Sequence, residues 1–162
     1  MVRVIGIDPG TATTGWGVVE SKNGALTSID FGCIKTTPKQ PKEERLLVIY
    51  ESLLAVIKDT TPEVMAIEMI FFNANVKTAL SVGQARGVCL LTAAMSGLTA
   101  YDYNTTEVKS VIAGYGRAEK SEVAKSVTEL LHLAETPKPD DVTDALAIAA
   151  THIIKTQKAL SV

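Results

Sequence analysis

Carboxylates stand at the ends of three separate segments of this sequence. Asp8 directly follows the β-rich run VRVIGI, Glu68 follows the apolar run VMAI, and Asp141 and Asp144 lie three residues apart before another apolar stretch. Carboxylates buried close to one another are costly unless a cation neutralises them. Oxygen ligands without a matching set of histidines and cysteines favour Mg²⁺ or Mn²⁺ over zinc. Together the four acids predict a site where metal ions act on a phosphate ester.

Each acid taken alone also has a purely structural interpretation. Asp8 precedes Pro9-Gly10 and could be a turn residue, and Glu68 could end a strand in solvent. Asp140, Asp141 and Asp144 could cap a helix and interact with its dipole. The functional interpretation requires the acids to meet. Two of them follow predicted central strands, whose carboxyl ends border the binding crevices of α/β sheets.

Basic and aromatic residues accompany these acids. No acidic residue occurs between Glu68 and Asp102, whereas Lys77 and Arg86 do, so this segment presents a neutral or positive surface. Phe71-Phe72 follows the second acid closely, and these rings are either core residues or a platform that stacks on or unstacks bases. Further cations available for phosphate contacts are Lys109, Arg117, Lys120 and Lys125.

Hydrophobic periodicity predicts the elements that position these residues. Three β-rich runs joined by short turns, over 2–7, 14–20 and 25–36, predict an antiparallel meander. Helices are predicted over 43–59 and 75–95, with strands over 64–67 and 98–103. Two short helices, started by Thr105 or Thr106 and by Ser121, precede a buried helix that starts at Asp140/Asp141. Because strands separated by helices need parallel crossovers, we expect an α/β fold with a five-stranded mixed sheet and helices on both faces.

Composition excludes several other classes of protein. The chain has 162 residues, 46% of them hydrophobic and 21% charged, which is typical of one globular domain spanning 1–162. The longest apolar run, Ala145–Ala150, is far too short for a membrane span. The start of the chain does not have the pattern of a cleavable leader, so a cytoplasmic location is expected. The net charge of −2 gives no global sign of nucleic-acid binding.

Two alternatives to a nuclease remain open. A P-loop is excluded because Trp16 stands where that motif needs lysine. The segment IDPGTATTGWGVVE is similar, however, to the phosphate-binding hairpin of actin-like ATPases and sugar kinases. Those enzymes close on nucleotide between two comparable domains, which 162 residues do not supply. The other alternative is a scaffold that keeps the fold and binds nucleic acid without cutting it. An ATPase assay and a metal-dependent cleavage assay separate the three interpretations.

Five ordered blocks resemble the RuvC-type Holliday-junction resolvases, which are endonucleases of RNase H-like fold. The resemblance runs through nearly the whole chain. Its blocks are IGIDPG at 5–10, AIE at 66–68, ALSVGQARGV at 79–88, AEKSEV ending at 123, and DVTDALAIA at 141–149. Five blocks in order are far more specific than any single motif. They imply a structure-selective endodeoxyribonuclease that resolves four-way junctions in recombination and repair.

The resemblance also implies roles for individual residues. Asp8, Glu68, Asp141 and Asp144 would be the catalytic metal ligands, holding two Mg²⁺ ions per active site, with Mn²⁺ as a substitute. Asp8 would bridge the two ions, and Lys120 or Lys109 would stabilise charge that develops at the scissile phosphate. Phe71 would stack on bases at the crossover. The expected DNA-binding set is Phe71, Phe72, Lys77, Arg86, Lys109, Arg117 and Lys120.

Partners are implied in the same way. A homodimer is expected, with the helix over 75–95 between the subunits, because a two-fold dimer presents two equivalent sites to the two equivalent strands of a junction. The expected reaction is paired nicking of strands of like polarity, which leaves 5′-phosphate and 3′-hydroxyl ends. A branch-migration helicase complex would be a further partner, and no membrane is involved.

Overall fold

The computed structural model of the protein describes residues 1–69 and 76–160, without the side chains of 76, 77 and 160. Its elements follow the predicted order of three strands, a helix, a strand, a helix, a strand and three helices. In chain order they are β1 (Val2–Asp8), β2 (Thr13–Lys22), β3 (Ala25–Lys35), α1 (Lys42–Thr60), β4 (Val64–Glu68), α2 (Val76–Met95), β5 (Thr99–Tyr103), α3 (Thr105–Ala113), α4 (Lys120–Leu130) and α5 (Asp140–Leu160).

The strands form a mixed five-stranded sheet in the order β3-β2-β1-β4-β5. β1 pairs antiparallel with β2, and β2 pairs antiparallel with β3, with a bulge at Val18/Val19. β4 runs parallel to both β1 and β5. The chain therefore makes the meander first and then adds two parallel strands through the helical crossovers α1 and α2. This confirms the predicted sheet.

Helices cover both faces of the sheet, as predicted. Alternate residues of β1 point to opposite sides, so Val4 joins one core cluster and Ile5 the other. The first cluster packs the sheet against α3, α4 and α5, and the second packs it against α1 and α2. The middle of α5 is apolar on all sides and almost wholly buried, in agreement with its sequence. Among the described helices, none is both long and apolar enough to cross a membrane.

Glycines let α5 lie unusually close to the sheet. A Cβ on Gly6 would overlap the carbonyl oxygen of Ala145, and one on Gly15 would overlap the carbonyl oxygen of Asp141. Gly17 faces the side chain of Leu146 in the same way. Gly6 pairs with Gly17 across the first two strands, so the backbone itself forms the floor beneath the helix. This close approach sets where the first turn of α5 lies relative to the end of β1.

The structure corrects the two predicted helix starts. Asn104, rather than Thr105 or Thr106, caps α3, because its side chain accepts a hydrogen bond from the backbone N–H of Glu107 at 2.8 Å. Glu119, rather than Ser121, caps α4 through a capping box with Glu122. An asparagine caps a helix at least as well as a threonine does, and the box also satisfies the backbone N–H of Glu119.

Candidate active site

The four predicted acids converge at one edge of the sheet. β1 and β4 are parallel neighbours, with Ile7 opposite Ile67, so Asp8 and Glu68 leave adjacent strands side by side. Their carboxyl groups share a hydrogen bond. Asp141 lies in the first turn of α5 and Asp144 follows it at the start of the second, and both act electrostatically on Asp8. Three separate elements therefore deliver carboxylates to one place, as the sequence indicated.

Asp8 is the most strongly perturbed of these acids. Burial, together with the neighbouring negative charges of Glu68, Asp144 and Asp141, raises its pKa from 3.8 to about 8. Burial likewise raises the pKa of Asp144, although the ammonium group of Lys120 opposes that rise. Without a nearby cation, Asp8 therefore keeps its proton at neutral pH. Four acids placed so that one of them is mostly protonated at neutral pH form a site that added positive charge would stabilise.

A hollow of about 300 Å³ opens in front of the acids. Lys120, at the start of α4, places its Nζ 3.1 Å from Oδ2 of Asp144, and the ion pair raises the pKa of this lysine. Its side chain is 71% exposed, so the ammonium group can turn toward a bound phosphate. Lys109 lines the same hollow. Both lysines that were predicted to lie near the scissile phosphate therefore border the acidic cluster.

Two further residues hold Glu68 in place. The hydroxyl group of Thr105 donates to its Oε1 at 2.9 Å, and Nε of Arg86 donates to its backbone carbonyl at 3.2 Å. Arg86 also forms an ion pair with Asp102 on β5. The guanidinium group of Arg86 is therefore engaged within the fold, and its contact with DNA stays a prediction. Thr105 was not predicted as a site residue because its position favoured a helix cap.

The four acids have the chemistry of a divalent metal site, although two of them already have partners within the fold. All four are oxygen ligands of the kind that Mg²⁺ and Mn²⁺ use. Within 1–69 and 76–160, no three side chains of the His, Cys, Asp and Glu types are arranged as a ready-made metal cage. Lys120 forms an ion pair with Asp144, and Thr105 donates a hydrogen bond to Glu68. Metal binding would therefore require these two acids to exchange their present partners.

The other predicted site residues are distributed unevenly. Asp140 forms an ion pair with Lys138 at 3.1 Å and is mostly exposed, whereas the charge of Asp141 helps to raise the pKa of Asp8. This favours Asp141 as the member of the acidic set. Arg117 is exposed in the connection between α3 and α4. Residues whose placement or side chain lies outside the described part of the chain are Phe71, Phe72 and Lys77.

The fold and the acidic edge together define a class, the nucleases of RNase H-like fold. Comparison with known proteins then identifies the family. The sequence profile of the crossover junction endodeoxyribonuclease RuvC family matches residues 4–152. A crossover junction endodeoxyribonuclease RuvC from Caldicellulosiruptor saccharolyticus is 49% identical over 160 residues, which cover 98% of this chain and 96% of that protein. The corresponding protein of Desulfitobacterium hafniense is 50% identical over 149 residues, or 92% of this chain and 90% of that one. The chain belongs to the RuvC family.

Solved structures agree with this assignment. The RuvC of T. thermophilus in complex with a Holliday junction substrate superposes with a TM-score of 0.94 at 38% identity, covering 98% of this chain and 97% of that one. The yeast mitochondrial Holliday junction resolvase Ydc2 has a TM-score of 0.68 at 12% identity, covering 93% of this chain and 77% of that one. The second likeness shows the shared fold alone. Both confirm the RNase H-like sheet that the resemblance implied.

Proposed function

We propose that this chain is a structure-selective endodeoxyribonuclease that resolves four-way DNA junctions by hydrolysing phosphodiester bonds. The observation that carries the proposal is the meeting of Asp8, Glu68, Asp141 and Asp144 at one sheet edge, beside Lys109 and Lys120. Membership of the RuvC family supports the substrate, since a relative with 38% identity was solved with a Holliday junction. The proposed catalytic unit is a single domain over 1–162, acting in the cytoplasm.

The acids and the lysines would divide the chemistry between them. Two Mg²⁺ ions, or Mn²⁺ in their place, would polarise the scissile phosphate and lower the pKa of a nearby water molecule. Asp8, Glu68, Asp141 and Asp144 are the residues proposed to hold them, and Asp8 must lose its proton to do so. The ammonium group of Lys120 would leave Asp144 for the phosphate oxygens, with Lys109 beside it, and would stabilise their growing negative charge.

The proposal is tested by comparing a mobile four-way junction with a linear duplex of the same sequence, each with Mg²⁺ and with EDTA. We expect paired nicks in strands of like polarity, confined to the junction and the Mg²⁺ lanes, with ends that a ligase can seal. Cleavage of both substrates alike would contradict the proposal. Junction binding without metal-dependent cleavage would instead favour the scaffold interpretation. An ATPase signal without cleavage would favour the nucleotide-binding alternative.

We also propose that the enzyme is a homodimer joined through α2. Over 78–95, where the side chains of this helix are described, exposed residues recur at intervals of three and four along one face, and none of them is charged. Leu80 is 65% exposed, Leu91 55% and Met95 64%. A Cβ on Gly83 or Gly87, on the same face, would meet no described atom within 4 Å apart from the nearby backbone of its own helix, so a partner backbone could approach closely. Such an uncharged face is typical of an interface.

Replacing Leu91 by glutamate should convert the dimer into a monomer, because each subunit would bury a new charge in the proposed interface. Size-exclusion chromatography with light scattering measures the change in mass. The matched control is Ile29→Glu, which places the same charge at an exposed apolar position on β3. We expect the control to keep the mass of the wild type. A Leu91→Glu protein of unchanged mass would contradict the proposed interface.

Breaking the dimer should also uncouple the two nicks. A single subunit carries one acidic cluster, so a monomer would cut one strand of a junction where the dimer cuts two.

Contact with a branch-migration helicase complex, which the resemblance implies, would be tested separately by co-purification with that complex.

A further inference from the structure

A second groove leads away from the acidic site. One hollow of about 480 Å³ is bordered by Asp141 at one end and by the β1–β2 turn, and a neighbouring hollow of about 430 Å³ continues it along α1 and α2. The two hollows share Thr11, Arg45 and Ser81. The outer hollow reaches Leu80, on the uncharged face of α2. The groove therefore runs from the catalytic acids toward the proposed dimer interface.

Hydrogen bonds hold the floor of this groove in one conformation. The hydroxyl group of Thr11 donates to the carbonyl oxygen of Ser81 at 2.7 Å, which ties the β1–β2 turn to α2. The hydroxyl group of Thr14 donates to the carbonyl of Gly10 at 2.7 Å, and that of Thr36 donates to the carbonyl of Thr11 at 2.5 Å. The turn is therefore fixed from both sides before any ligand arrives.

Arg45 is aimed into the groove by the same network. Its Nε donates to Oγ1 of Thr36 at 2.7 Å, and its side chain is half-buried. Among the described residues, no carboxylate forms an ion pair with Arg45 or with Lys42, which lines the outer hollow. A guanidinium group that is oriented through one nitrogen keeps its remaining donors for an oxyanion.

We propose that this groove binds the DNA backbone and that Arg45, with Lys42 beside it, contacts phosphates of the strand that leads from the active site toward the dimer axis. The proposal rests on the DNA substrate proposed above. Its chemistry is that of an anion site: a positioned guanidinium group, an exposed ammonium group and hydroxyl groups, with Asp141 as the acid at its catalytic end. A strand in this groove would be held on the side of the acids opposite to Lys109 and Lys120.

The salt dependence of junction binding tests the proposal. Each phosphate contact releases counterions, so losing one should reduce the slope of log K against log salt by about 0.9. We expect Arg45→Gln to weaken binding of a four-way junction about ten-fold in EDTA, and to lower the slope by about 1. Lys42→Gln should lower the slope as well, whereas Arg45→Lys should keep the slope of the wild type because it retains the charge.

A control variant separates DNA contact from support of the fold. Lys58→Gln removes an exposed lysine from the last turn of α1, about 24 Å along the helix from Lys42, and should alter neither affinity nor slope. Melting temperatures of all variants show whether the fold is intact.

Each outcome decides the proposal. A lower slope for Arg45→Gln and Lys42→Gln, with Lys58→Gln unchanged, supports the groove as a backbone site. An Arg45→Gln slope equal to that of the wild type overturns it. If Arg45→Gln does not fold, Lys42→Gln decides, and an unchanged slope for that variant overturns the proposal. A wild-type chain without affinity for junctions would overturn the proposed function itself, which distinguishes the two failures.

Discussion

Asp8→Asn is expected to abolish cleavage of a four-way junction, with a loss of at least ~10³-fold in the single-turnover rate. Asparagine keeps the size of the side chain but removes the negative charge from the centre of the acidic cluster. The remaining acids would then hold a divalent ion poorly, and water near the phosphate would not be activated. Because ligand charge matters little for recognition of DNA shape, junction binding should be kept.

The measurement is a single-turnover cleavage time course with Mg²⁺, paired with a binding titration in EDTA. Asp140→Asn is the matched control, since Asp140 is directed toward Lys138 and is mostly exposed. We expect this control to cut at close to the wild-type rate. Normal cleavage by Asp8→Asn would show that the acidic cluster is not the catalytic site. Equal losses in both variants would show that local charge alone, rather than the position of Asp8, governs the rate.

The same substitution should stabilise the metal-free protein, which separates loss of function from misfolding. The pKa of Asp8 is about 8 in the folded chain against 3.8 for an ordinary aspartate, so the folded state retains a proton that the unfolded state releases. The wild-type protein therefore loses stability as the pH rises from about 4 to 8. Asp8→Asn removes this loss, so its stability advantage over the wild type should grow steadily as the pH rises from 4 toward 8 and vanish near pH 4. Denaturant unfolding in EDTA measures both.

Gly15→Ala is expected to have the second largest effect. The new Cβ would overlap the carbonyl oxygen of Asp141 and lie 2.9 Å from its Cβ, so the first turn of α5 would have to move outward. We expect a loss of about 3 kcal/mol in the free energy of unfolding. Because Asp141 and Asp144 would move with the turn, cleavage should fall by about 10²-fold. Urea unfolding and single-turnover cleavage measure the two effects.

Gly32→Ala is the matched control for this substitution. Gly32 also lies in a strand, but its Cβ would meet the ring of Trp16 at 3.0 Å, a side chain rather than a backbone. The indole ring can move by a few tenths of an ångström, so we expect a small loss of stability and nearly normal cleavage. If Gly15→Ala were as mild as the control, the close approach of α5 to the sheet would not be what positions the acids.

Much of the fold could be predicted because it is encoded locally. The period of apolar residues distinguished strands from helices along the chain, and the long apolar stretch after Asp144 identified a buried helix. The rule that strands separated by helices run parallel then led to the mixed sheet. Local patterns are less decisive at helix ends. Asn104 and Glu119 were missed as caps because several polar residues stand together at each start and only hydrogen bonding selects among them.

The site could be predicted in part for a related reason. Asp8 and Glu68 follow buried strands, and the carboxyl ends of parallel neighbours meet at one edge of a sheet. The partners of these acids could not be predicted. Arg86 is of a residue type that often contacts DNA, and in the fold it donates to the backbone of Glu68. Thr105 is of a type that often caps helices, and in the fold it donates to the carboxylate of Glu68. Such contacts join residues far apart in the chain.

The sequence by itself determined the order and type of the elements, the residue types available for chemistry and, through five ordered blocks, the resemblance to the RuvC family. The tertiary structure alone decided how close α5 lies to β1 and β2, which groups share a hydrogen bond and which cations are engaged. The physical reason is that periodicity and turn chemistry act over a few residues. The raised pKa of Asp8, by contrast, depends on burial and on charges from β4 and α5, which only packing brings together.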